Sequence, residues 1–122
     1  MTLERIRATC LSFPHATEQI QWGDNLVFKV AGKMFAVDSL SDGSHAVGFR
    51  CTPEEFAELI EIDGIIPAPY LARAHWVRLS DSSRLRSSEL IRRLRSSYDL
   101  VFAALPKKLR ANLKNEKLKT EN

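Results

Sequence analysis

The sequence predicts an α+β domain: an antiparallel β-sheet meander with helices packed on one face. Three observations predict it. Residues 25–38, NLVFKVAGKMFAVD, hold two runs of β-formers around Ala31-Gly32, patterned with a period of two. Turn clusters at Gly23-Asp24-Asn25 and Asp42-Gly43 set off further short runs on either side. Helical periodicities come before and after these consecutive strands, so the element order reads α-β-β-β-β-α-β-α.

Each element has a local cause. Thr2 caps a first helix at about 3–12, where Leu3, Ile6, Cys10 and Leu11 make one apolar stripe that Pro14 ends. Residues 18–22 supply a short first strand. In the hairpin, a two-residue loop at Ala31-Gly32 places Val30 opposite Lys33, Phe28 opposite Phe35 and Leu26 opposite Val37. A three-residue loop with Gly32 in a bulge is the alternative, because alanine is a poor residue for positive φ, and it shifts the pairing by one. Residues 45–50 form a further strand. Thr52-Pro53-Glu54-Glu55 starts a helix with a cap, a proline in its first turn and a carboxylate at its third position, and Asp63-Gly64 stops it. The prolines keep residues 65–69 extended, residues 70–74 make one helical turn, and Trp76–Leu79 is a strand. Ser87 or Ser88 caps the longest helix, which runs from Glu89 to about Leu105. Its buried stripe is Leu90, Ile91, Leu94, Tyr98, Val101, Phe102 and Leu105, and Arg92, Arg93 and Arg95 point outward.

The 122 residues suffice for one core, expected over 1–108, with 109–122 a basic, mobile tail. No apolar run approaches the ~20 residues of a membrane span, and Glu4, Arg5 and Arg7 interrupt any leader-like segment. Cys10 and Cys51 are isolated, with neither disulfide nor zinc spacing. A cytoplasmic chain with reduced thiols, no membrane partner, and a monomeric or homodimeric state is expected. The net charge of +3 conceals an asymmetry. Residues 1–72 carry five Lys/Arg against ten Asp/Glu, net −5; residues 73–122 carry thirteen against five, net +8. Such a basic half suits an anionic partner.

An ordered set of short motifs carries a family resemblance. It comprises Phe13-Pro14-His15-Ala16, Trp22-Gly23-Asp24 leading into 27–30, Gly32-Lys33-Met34-Phe35-Ala36, Cys51-Thr52-Pro53-Glu54-Glu55, Gly64-Ile65-Ile66-Pro67, His75-Trp76-Val77, and Ser97-Tyr98 before Leu105-Pro106. In this order the chain resembles the MmcQ/YjbR-like proteins, small bacterial domains, up to about Lys108. The resemblance implies a sandwich related to bacterial frataxin, the CyaY-like fold, and a DNA-binding role through a basic surface. One departure lies before His75-Trp76, where the family's Asn-Lys pair is replaced by Ala72-Arg73. The acidic ridge that serves iron handling in frataxins is not carried over, since the first helix sets Glu4 against Arg5 and Arg7.

For chemistry, His15, His45 and His75 are dispersed without metal-ligand spacing, and no phosphate loop or nucleophile elbow appears. No catalytic residue, metal or cofactor is therefore assigned. The nucleic-acid candidates are Lys29 and Lys33 at the hairpin, Arg73, Arg78, Arg84 and Arg86 in the loop-rich region, Arg92, Arg93 and Arg95 on the last long helix, and Lys107 and Lys108 beyond it. A non-enzymatic alternative is a Pro67–Trp76 cleft with Tyr70, His75 and Trp76 around a small anionic or aromatic ligand, or a protein partner.

Overall fold

The computed structural model describes residues 1–40, 45–69 and 71–121, with side chains through residue 115. The Asp42-Gly43 turn signal and Tyr70 lie outside the described residues. In chain order the elements are α1 (Leu3–Leu11), β1 (Ala16–Gln21), β2 (Asn25–Val30), β3 (Lys33–Ser39), β4 (Val47–Arg50), α2 (Pro53–Leu59), β5 (Ile65–Pro67), β6 (Trp76–Leu79), α3 (Ser87–Ala103) and α4 (Lys107–Glu121). Short 3₁₀ turns occupy Ala72–Ala74 and Ser82–Arg84. All six strands join one antiparallel sheet in the order β1-β2-β3-β4-β6-β5. The α+β meander expected from the sequence is the architecture observed.

Three details differ from the expectation. Ile65–Pro67 is not merely extended but pairs with β6 as an edge strand, the position where a proline's missing N–H interrupts no ladder. Residues 107–121 continue as helix α4. The N-cap of α3 is Arg86 in extended conformation, with no side-chain cap bond, so Ser87 and Ser88 already lie inside the first turn.

The hairpin loop is the two-residue form: Ala31 and Gly32 both take positive φ, 50° and 77°. Val30 opposes Lys33 and Lys29 opposes Met34, but the register then slips at a bulge, so that Phe28 opposes Ala36 and Leu26 opposes Asp38. The one-residue shift therefore arises at Phe35, inside β3, and not at the turn. Its consequence is a reversal of faces. Asp38 turns into the core, where it is fully buried, and Val37 turns to the opposite side of the sheet.

The helices cover the face carrying Phe28 and Phe35. Ile6 and Cys10 of α1, Leu59 of α2, and Leu90, Leu94, Tyr98 and Val101 of α3 bury against Phe28, Val30, Phe35, Val47, Phe49, Val77 and Leu79. The Tyr98 ring meets Phe35 edge-on at 5.3 Å and tilts against Phe13 at 5.3 Å. Ser97 ties α3 to the bulge: its hydroxyl donates to the Phe35 carbonyl (2.6 Å) and accepts from the Arg50 N–H (2.9 Å). Two backbone groups that the irregular ladder leaves over are thus satisfied by one buried side chain.

Candidate ligand cleft and basic surface

Strand alternation places the other residues of each strand on the face the core helices do not cover. From β3 comes Val37, from β4 Gly48 and Arg50, and from β6 Trp76 and Arg78, with Arg50 opposite Trp76 and Gly48 opposite Arg78. The segment after β5 folds back over this face. The Ala68 N–H donates to the Trp76 carbonyl (2.9 Å), and the Leu71 N–H to that of Ala68 (3.1 Å). Between segment and sheet lies a cleft of about 630 Å³. Val37, Ala46, Gly48 and Trp76 line it from the sheet side, Ala68, Pro69 and Leu71 from the returning segment. Trp22 stands at the mouth, 69% exposed, in the β1–β2 turn, where the Asn25 amide donates to its carbonyl (3.2 Å). Among the described residues Asn25, Ser39 and Arg78 are the polar members, and of these Arg78 carries a charge.

On the far side of Trp76 is a smaller hollow of about 300 Å³, bounded by Lys33, Met34, Arg50, Val101, Ala104, Leu105 and Pro106. Lys107 and Lys108, both exposed, follow directly in α4. Among the described residues no carboxylate lines either space.

The candidates nominated from sequence divide into three groups. Arg84 is engaged with Asp63 and Asp81, Arg93 bridges Glu55 (2.6 Å) and Glu89 (3.1 Å), and Arg95 pairs with Asp99 (3.0 Å) and lies over the Phe13 and Tyr98 rings. Arg93 is also half-buried, which corrects the expectation that it points freely outward. Its partner Glu55 closes the capping box of α2 with Thr52. Burial alone raises the pKa of that carboxyl, but the Thr52 bonds and Arg93 outweigh it and hold it below the ordinary value. Lys33, Arg73, Arg78, Arg86, Arg92, Lys107 and Lys108 make no ion pair among the described residues. Lys29 donates to the Gln19 side chain (3.1 Å). These free cations do not share one surface, since Arg92 projects from α3 on the helical side.

Of the cleft candidates, Trp76 lines both spaces and Tyr70 is outside the described residues. His75 turns away instead: its ring meets Phe56 edge-on at 5.6 Å, and its carbonyl accepts from the Cys51 N–H (3.0 Å). It takes positive φ, 60°, to make that turn. Sequence reasoning missed Gly48 and Arg50 as site residues. The alternation Val47-Gly48-Phe49-Arg50 was the signal that would have placed both opposite the core. Among the described residues, no group of three or more His, Cys, Asp or Glu is placed to hold a metal ion, and no helix is long and apolar enough to cross a membrane.

Fold and site together define a small α+β domain whose uncovered sheet face bears an apolar cleft and a basic border. The YjbR family model matches residues 11–100, and the chain belongs to that family. The crystal structure of Deinococcus radiodurans protein DR2400, which carries a DUF419 domain, is similar at 28% identity and a TM-score of 0.84 over 93% of this chain and 88% of that one. A crystal structure from Pseudomonas syringae shares the fold at 17% identity, with a TM-score of 0.65 over 83% of this chain and 99% of the other. No curated protein matches the sequence.

Proposed function

We propose that the chain binds DNA through the phosphate backbone, without base readout, on the border formed by the hairpin tip and the start of α4. The observation that carries this reading is a selection among the cations. Arg84, Arg93 and Arg95 are neutralised within the fold, whereas Lys33 and Arg50 flank one hollow, next to Lys107 and Lys108, with no carboxylate among its described lining residues. A cationic border of this kind gains affinity from counterion release, which is indifferent to sequence. α3, the longest helix, buries its apolar stripe and ties down two of its arginines, so it is unsuited to enter a groove.

Fluorescence anisotropy of a labelled duplex across a salt series tests the proposal. Four phosphate contacts give a log–log slope of roughly −3.6. The triple change Lys33→Gln, Lys107→Gln, Lys108→Gln is expected to flatten that slope by about 2.7. Arg92→Gln, on the helical side, leaves it unchanged. Absence of binding at low salt, or a slope that responds to Arg92 and not to the three lysines, overturns the reading.

A further inference from the structure

We propose that the larger cleft is a binding site for a small aromatic monocarboxylate, separate from the basic border. Its volume of about 630 Å³ falls in the range of small-molecule sites, roughly 300–1,000 Å³. Its composition follows the rule for such sites: an apolar enclosure with a few convergent polar groups. Trp76, 4% exposed, supplies a fixed indole wall, while Trp22, 69% exposed, stands at the mouth where a planar guest would cover it.

The charge in the cleft selects the guest. Arg78 is half-buried and, among the described residues, makes no ion pair and meets no carboxylate in the lining. One guanidinium fork matches one carboxylate in bidentate geometry; a phosphate monoester, with its second charge, calls for further donors. Arg78 is held on β6 between β4 and β5, opposite Gly48 and Ile66, so its backbone is fixed by ladders on both sides. Gly48 keeps the floor open beside it. A Cβ at Gly48 would sit at ordinary contact distance, 3.5 Å from the Val77 carbonyl oxygen and 3.9 Å from Trp76 Cε3, and the residue does not take positive φ. The fold thus tolerates a side chain there, and the space above it is left for a ligand.

The test is a titration of biphenylcarboxylate into isotope-labelled protein, followed through the indole N–H signals. Trp22 and Trp76 are the chain's only tryptophans; both line this cleft, and Trp22, which does not line the smaller hollow, distinguishes the two spaces. Saturable shifts of both are expected. Arg78→Gln should weaken binding at least tenfold, the loss of a charge-assisted pair. The neutral biphenylcarboxamide should bind the native protein correspondingly more weakly, and Gly48→Val should abolish binding while the spectrum stays dispersed. Should Gly48→Val fail to fold, the carboxamide and Arg78→Gln comparisons decide alone. No saturable shift at millimolar ligand, equal affinity for acid and amide, or tighter binding of phenyl phosphate than of the carboxylate overturns the proposal. Since Trp22 and Arg78 line the cleft and not the smaller hollow, the Trp22 shift and the Arg78→Gln comparison do not depend on whether DNA binds.

Discussion

Asp38 is the residue with the clearest energetic signature. It is fully buried, and among the described residues neither carboxylate oxygen has a hydrogen-bond partner; His45 Nδ1 lies 3.5 Å from Oδ1. Burial pushes its pKa up from 3.8 to about 6, with His45 opposing part of the rise. A carboxyl with a raised pKa binds its proton more tightly in the folded chain than in the unfolded one. Its contribution to stability is therefore present at low pH and is lost as pH rises from about 4 to about 6. Glu18 and Asp81 act in the other direction: hydrogen bonds from Arg7 and Ser83 lower their pKa values, so their contributions are lost as pH falls. Comparing native protein with Asp38→Asn in urea melts at several pH values isolates the buried group. The native-minus-variant difference should decline between pH 4 and pH 6, by at most about 3 kcal/mol. A flat difference would show that His45 fully compensates the ionised form. Nothing in the sequence singled out Asp38, because regular pairing from the hairpin turn places it on the other face; the bulge alone brings it inside.

At the scale of elements, the bulge and α3 form one unit. The hairpin, the Thr52 capping box and the stripe of α3 are legible in the sequence, since each rests on local spacing, whereas the sequence leaves the loop open between two and three residues. The bulge is not legible, because its cause lies 62 residues away: the Phe35 carbonyl is stabilised by the Ser97 hydroxyl. β5 escaped for a different reason. Three residues ending in proline carry too little pattern to mark a strand, and only the β6 edge makes them one. Ser97→Ala removes both bonds of the bridge and leaves the Phe35 carbonyl and Arg50 N–H without that partner. Two stranded backbone groups at about 1–3 kcal/mol each predict a loss of roughly 2–6 kcal/mol in urea denaturation. A loss well below this would show that the bulge relaxes into a regular ladder.

For the whole molecule, the sheet separates packing from candidate function. One face takes the helices and nearly all the large buried side chains; the other keeps Gly48, Trp76, Arg50 and Arg78 near open space. The charge asymmetry visible in the sequence is real as a sum, yet it overstates the surface available to an anion. Arg84, Arg93 and Arg95 count toward the basic half but serve the fold, and which cations pair is decided by tertiary geometry that composition cannot report. Trp76 was identifiable beside the proline-rich entry, whereas its neighbours across the strand emerged only once β4 was set against β6.

The Ser97 bridge also bears on how the chain reaches its fold. β1, β2 and β3 pair only with their sequence neighbours, so their contacts close short loops and can form early. The hydroxyl of Ser97 reaches its place only after α3 has docked on that sheet. Stopped-flow chevrons of Ser97→Ala should therefore show unfolding accelerated and the refolding arm almost unmoved, a φ-value near zero. A slowed refolding arm would place α3 in the folding nucleus, with the hairpin's irregular register imposed from the start.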